Sequence, residues 1–382
     1  MRVCFLSSMH PPLDKRVFVK EAVSLAVNGF DVVHVAPDDR LRTWVQDGVV
    51  LVTYPRRRGI VGRLMQLTRI YRVAARQRAD CYHCNELDSW VIGVLLRLTR
   101  RAMVVFDVHE HYPSQFAERG FPDWLRPAAA SFMRLVFRVL TPLTDRLVFA
   151  KKFITTDFGG SERKHVVVEN FAPLVLDDNE RATAPRGSAS SAVTAIHIGS
   201  MTQTRCWPEL LRALDRVRAL DLRLHIVGTF ADGSEPEFQA LVEQLGLADR
   251  VVVEPWLPIA EAYRRVFDAD IGLVLLRPGI HNHVLALPHK MFDYMLAGLP
   301  VIAPKFAVEV AEIVQDANCG LLTDTSSVEE IARALERLAL DPQERRRLGD
   351  HGRRAVYERY NWEREAVKLV AMYRDLSREN LR

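Results

Sequence analysis

No apolar run in these 382 residues approaches the roughly 18 to 20 needed to cross a bilayer, so no membrane-spanning helix is expected. Cysteine is scarce. The five present are an odd number at irregular spacing, which argues against a disulfide framework and for a reducing, cytoplasmic setting. Charge of one sign is lacking as well: 52 basic residues face 48 acidic ones, the net charge is +4 and the pI is about 8.8. The basic residues are mostly arginines spread over both halves, so a dedicated nucleic-acid binder is not expected. The opening Met1-Arg2-Val3-Cys4-Phe5-Leu6 is too short for a signal peptide, because His10-Pro11-Pro12 ends the apolar run, and it reads as a first strand. The turn after it contains no glycine, which excludes a dinucleotide fingerprint.

What is present is a large apolar fraction, 48% of residues, in a chain long enough for two domains. Short apolar runs alternate with helical patterns from end to end: strands at 3–6, 31–36, 102–108, 146–150 and 165–170, then at 194–198, 222–227, 251–253, 271–275 and 301–303. That alternation predicts α/β architecture with two doubly wound parallel sheets. Residues 1–176 form the expected first domain and 195–360 the second, joined by a polar, Ser-rich linker at 177–194. A last amphipathic helix, within 361–382, is expected to pack back on the first domain.

The most informative stretch is Ala286 to Pro304. Pro288 suits a first helical position, and Gly298 followed by Pro300 supplies the stop, so 288–297 reads as a short helix leading into a buried strand, Val301-Ile302-Ala303. Such a helix N-terminus, with Lys290 adding a full charge, is suited to a diphosphate, and Asp293 at the i, i+3 position is placed for ribose hydroxyls. The same residues are equally compatible with a surface ion pair on a crossover helix.

Further candidates stand at strand ends. Ser7, Ser8, His10, Asp14 and Arg16 follow the first strand, where open α/β sheets bind ligands, though a loop also needs polar residues. His109-Glu110-His111 directly follows the apolar run 102–108 and forms a second polar cluster. Between Gly48 and Ala79 there is no acidic residue, and eight arginines alternate there with Ile60, Leu64, Leu67, Ile70, Tyr71 and Ala74. A basic helix at about 60–78 would either lie on an anionic membrane surface or cover the sheet with its apolar stripe. Cys81-x-x-Cys84 invites a metal reading. Its two side chains would point to opposite strand faces and no second pair exists, so no metal is expected.

Together these stretches resemble glycosyltransferase family 4, retaining nucleotide-sugar-dependent enzymes of the GT-B type. The resemblance rests on Pro288-His289-Lys290-Met291-Phe292-Asp293-Tyr294-Met295 with Gly298-Leu299-Pro300, on Asp107-Val108-His109-Glu110-His111-Tyr112-Pro113, on Asp14 and Arg16, and on Gly199-Ser200-Met201 with Arg205. It implies two facing Rossmann-like domains with an interdomain cleft and a C-terminal helix crossing back. It also implies a metal-independent hexosyltransferase without a cofactor, acting on a UDP-sugar or other nucleoside-diphosphate sugar and on a glycan, lipid-linked or small-molecule acceptor. The catalytic residues would be His109 and Glu110. Ser200, Arg205, Lys290, Met291 and Asp293 would hold the donor, with His281, Asn282 or His283 compensating for Leu285, where many members have the first of two glutamates. Ser8, His10, Asp14, Arg16 and His111 would face the acceptor. A nucleotide-sugar epimerase or phosphorylase on the same fold, and a catalytically silent scaffold, are the alternatives.

Overall fold

Each apolar run of the first half becomes a strand whose neighbours lie far away in sequence. A computed structural model of the chain describes residues 1–56, 60–109, 111–114, 122–157, 164–174 and 192–380. It divides into two units: Met1–Asn170 with Trp362–Arg382, and Phe171–Asn361. Most of the expected linker, and Glu110, lie outside the described residues.

In the first unit eight strands are ordered β3-β4-β2-β1-β5-β6-β7-β8. They are β1 (Arg2–Leu6), β2 (Asp31–Asp38), β3 (Thr43–Gln46), β4 (Val49–Pro55), β5 (Cys81–Cys84), β6 (Met103–Val108), β7 (Arg146–Phe149) and β8 (His165–Val167). All pairs are parallel except β3 with β4. That hairpin was not expected. It turns on Asp47 and Gly48, at φ +50° and +78°, the two left-handed residues that a two-residue hairpin requires. Because β1 pairs with β2 on one side and β5 on the other, the sheet reverses direction at the carboxyl ends of β1 and β5, where such sheets bind ligands.

The first crossover differs from a plain helix at 17–28. It begins as a π-helix, Lys15–Ala22, and continues as an α-helix, Val23–Val27. Asp14 starts it by accepting the Arg16 and Val17 N–H groups. The helix Leu87–Arg100 also begins earlier than expected, through reciprocal capping between Glu86 and Ser89. In the helix Ile60–Gln77, Ile70 and Ala74 are fully buried, so its apolar stripe covers the sheet. The C-terminal helix Trp362–Asn380 closes this unit: Leu369, Val370, Tyr373 and Leu376 pack with Val3, Phe5, Val17 and Phe18.

The second unit carries six parallel strands, ordered β11-β10-β9-β12-β13-β14, namely β9 (Val193–Ile198), β10 (Leu222–Val227), β11 (Val251–Glu254), β12 (Ile271–Leu273), β13 (Val301–Pro304) and β14 (Gly320–Thr323). Its reversal lies between β9 and β12. Apolar clusters cover the sheet, one containing Met291, Phe292, Tyr294 and Met295, the other Trp207, Leu210, Leu214 and Phe238. Pro288 takes an extended conformation at ψ 126° just before the helix, which runs His289–Ala297, one residue later than the sequence pattern suggested.

Candidate functional site

Cations gather at the reversal of the second sheet. At the end of β9 the chain passes through Gly199, at φ +103°, and at the end of β10 through Gly228, where a Cβ would lie 2.0 Å from the Gly199 carbonyl oxygen. Only glycine permits that approach. The helix His289–Ala297 is fixed to the same place, because the Tyr294 hydroxyl accepts the Ile198 N–H at 2.9 Å. Lys290, one residue into this helix, therefore brings its Nζ to 3.7 Å from where a Gly199 Cβ would stand, and 2.9 Å from His197 Nε2.

Arg205 completes the cluster from the short helical turn Gln203–Arg205. Arg277, bonded to Glu209 at 2.9 Å, also donates to the Gln203 carbonyl at 3.2 Å and holds that turn against the end of β12. Burial and then the Arg205 charge push the Lys290 ammonium well below the ordinary lysine range, with Asp293 opposing. His197, fully buried, is held well below the ordinary imidazole range by burial, Lys290 and Arg205, so its ring is neutral and Nε2 accepts from Lys290. Two cations and a neutral imidazole converge on the end of a parallel strand. A dianion such as a diphosphate is the ligand this charge pattern favours.

Other residues expected at the donor are placed differently. Asp293 is 3% exposed and accepts the Tyr263 hydroxyl at 2.7 Å and His289 Nδ1 at 3.0 Å, so it is engaged within the unit. Met291 is fully buried, and its side chain packs in the core rather than facing a ligand. Ser200 is exposed and reaches the cluster through its carbonyl, 3.4 Å from His197 Nε2. His281, Asn282 and His283 begin a short helix, His281–Val284, on which His283 Nδ1 donates to the Arg277 carbonyl at 2.9 Å.

The reversal of the first sheet carries a balanced set of charges. Arg16 is buried and grips Asp107, at the end of β6, with Nε and Nη2 at 3.0 and 2.9 Å. It also reaches Glu21 at 3.1 Å and the Val168 carbonyl at 3.1 Å, so it is an internal partner rather than an acceptor-facing group. His109 Nε2 also meets Asp107, at the Oδ2 that Arg16 Nε holds. His10 stands beside it, with ring centroids 5.3 Å apart, and is oriented by Asp14 through Nδ1 at 3.0 Å. Although burial opposes it, Asp14, Glu86 and Asp107 raise the His10 pKa. Burial would raise Asp14, but its bonds to His10 and to the backbone N–H groups of Val17 and Arg16 hold it far below the carboxylate range.

Glu86 organises the loop before His10, accepting the N–H groups of Ser8, Met9 and His10 at 2.8, 2.9 and 3.1 Å. Ser8 itself is 4% exposed, and His111 is 8% exposed with Nδ1 on Ser114 Oγ at 2.7 Å, so neither side chain is open to an acceptor. Beneath Asp107, Glu21 and His83 are fully buried, and His83 Nδ1 meets the Tyr373 hydroxyl of the last helix at 2.7 Å. Burial and Asp107 raise Glu21 well above the carboxylate range, whereas Arg16 and His109 hold Asp107 well below it against burial. Among the described residues Glu21, His83 and Asp107 form the group that could ligate a metal, but the Arg16 guanidinium already supplies the cation that both carboxylates face. Sequence reasoning missed Glu21, Glu86 and His197. Only the Glu86-x-x-Ser89 spacing carried a readable signal for any of them.

Comparison with known proteins agrees with this division. Residues 16–148 match the family model described as glycosyl transferase 4-like domain, and 192–341 match that described as glycosyl transferases group 1. The chain is 29% identical over 259 residues to an MMP alpha-(1->4)-mannosyltransferase of Mycolicibacterium hassiacum, a match that covers 65% of this chain and 59% of that protein. The chain thus spans about three fifths of that relative's length. Sucrose-phosphate synthase of Thermosynechococcus elongatus superposes with a TM-score of 0.77 at 16% identity, over 99% of this chain and 100% of that one. The Anabaena protein HepE, in its complex with UDP-glucose, does so with a TM-score of 0.71 at 15% identity, over 98% and 100%. At such identities the likeness is one of fold. With both family models matched in order, one on each unit, and with the GT-B fold shared by these structures, the chain belongs to the family 4-like glycosyltransferases.

Proposed function

We propose that this chain is a retaining glycosyltransferase that uses a nucleoside-diphosphate sugar without a metal, the second unit holding the donor diphosphate between Lys290 and Arg205. The observation that carries this reading is the placement of those cations with neutral His197 at the end of β9. HepE was determined with UDP-glucose, and the cluster suits the diphosphate that any such donor carries. The bond from the anomeric carbon to the diphosphate oxygen breaks, and its electron pair leaves with the nucleotide. The acceptor oxygen bonds to that carbon on the same face, and its proton passes to the departing phosphate oxygen. Lys290 and Arg205 stabilise the charge that grows on the diphosphate, the part a metal plays elsewhere.

In the first unit His109, held through Nε2 by Asp107, offers Nδ1 to a sugar hydroxyl and fixes its orientation. The test is turnover of UDP-, GDP- and ADP-linked hexoses in the presence of a chelator, with the anomeric configuration of the product read by NMR. Transfer or slow hydrolysis with retention is expected, and His109→Ala should lower it about 100-fold while leaving nucleoside diphosphate affinity within a few-fold. An isomerised donor, a strict need for a divalent ion, or inertness towards every donor would overturn the proposal.

A further inference from the structure

Among the described residues of the first unit, the helix Arg126–Leu140 and the turn before it carry several large apolar side chains turned outward. Its inner face is ordinary: Ala129, Met133 and Phe137 are buried. Phe132, Leu135 and Val139, at the i, i+3 and i+7 positions of another face, are 56, 55 and 58% exposed, and Trp124, in the turn just before the helix, is 79% exposed. A helix that only covered a sheet would carry polar residues at those three positions. Along the edge of this face away from the core run Arg134 and Arg138, both exposed and one turn apart. From Trp124 through Thr144 there is no acidic residue.

We propose that this helix, rather than Ile60–Gln77, lies in the interface of a bilayer containing anionic lipid, with Trp124, Phe132, Leu135 and Val139 at the acyl boundary and Arg134 and Arg138 among the lipid phosphates. The chemistry of an interfacial helix is here: large apolar and aromatic side chains on one side, arginine beside them, and no carboxylate within the helix itself. Charge selects the occupant. A second copy of the chain would bring like-charged arginines together on a self-complementary contact, whereas lipid phosphates neutralise them. Among its described side chains the other basic helix turns Ile70 and Ala74 inward and exposes Met65 as a large apolar residue.

The test is co-sedimentation of the whole chain with vesicles of phosphatidylcholine alone or mixed with phosphatidylglycerol, at rising salt. Binding to the mixed vesicles that fades with salt is expected. Arg134→Gln with Arg138→Gln should weaken it about 30-fold, each arginine contributing about 1 kcal/mol at such a surface. Phe132→Ser with Leu135→Ser and Val139→Ser should weaken it at least about 100-fold, and Met65→Ser should leave it unchanged. All of these positions are exposed, so circular dichroism should confirm that each variant folds. Absence of pelleting at low salt would overturn the proposal, as would pelleting indifferent to the apolar substitutions. So would a dimer, seen by light scattering, that Phe132→Ser dissolves.

Discussion

Replacing Lys290 with methionine should weaken nucleoside diphosphate binding and at the same time stabilise the unliganded protein. The ammonium sits half-buried, 2.9 Å from a neutral histidine, and burial and Arg205 both work against its charge. Methionine has nearly the same length and no charge, so it removes the desolvation and the repulsion while filling the space. With a diphosphate present the balance reverses, because a charge-assisted contact worth about 1.5 to 3 kcal/mol is lost, equivalent to roughly 10- to 150-fold in affinity. Titration calorimetry with UDP and GDP would measure the second effect and urea unfolding without ligand the first. Proton uptake gives an independent reading: a bound dianion raises the depressed Lys290 pKa, so binding should take up protons in alkaline buffer in the native protein and less in the variant. Unchanged affinity in a folded Lys290→Met protein would refute the cluster as the phosphate site. Lost affinity with lost stability would refute the claim that the free site is under charge strain.

Gly228→Ala should damage the same site without touching a charge: its Cβ would lie 2.0 Å from the Gly199 carbonyl, so the ends of β9 and β10 must part, with at least a tenfold loss in diphosphate affinity by calorimetry. Gly233→Ala, also at positive φ but with nothing within 4 Å, should leave that affinity alone, and equal effects would refute the packing argument. His34, fully buried between Ser7 Oγ and the Pro12 carbonyl, has its pKa lowered to about 4, burial outweighing the Asp14 charge. The unfolded state then binds the extra proton between about pH 6.5 and 4, so stability falls by about 3 kcal/mol as pH drops through that window. Urea unfolding of His34→Gln should show a shallower decline over that range, and an unaltered slope would refute the assignment.

What could be read in advance was whatever depends on neighbours in sequence. The alternation of strands and helices, the stop at Gly298 and the lysine one residue into its helix are local patterns, and the structure contains them all. The β3–β4 hairpin was local too: Asp47-Gly48 between apolar residues is a two-residue turn signal. The buried ionic pairs are another matter. Arg16 meets Asp107 across 91 residues, and Glu86 meets the Ser8 N–H across 78. Neither pairing leaves a periodicity to detect, since the parallel sheet brings the partners together only after β1, β5 and β6 are in register. A polar residue at a strand end reads the same whether it turns inward to a partner or outward to a ligand. Ser8, Arg16 and His111 turned inward.

The two sheet reversals are built on opposite electrostatic plans, and this contrast bears on what each receives. At the first reversal the described cations face carboxylates: Arg16 meets Asp107 and Glu21, and His10 meets Asp14 and Glu86. The three N–H groups of the loop after β1, which could otherwise cradle an anion, are taken by Glu86. A second anion would meet carboxylates there, so this reversal is suited to a neutral, hydroxyl-bearing group. In the second unit Lys290 and Arg205 both lower the His197 pKa and Arg205 lowers that of Lys290, while Asp293, which raises Lys290, is engaged by Tyr263 and His289. A dianion bound there, as proposed, would relieve that repulsion. The proposed allocation of diphosphate to the second unit and hydroxyl to the first rests on this difference in charge compensation.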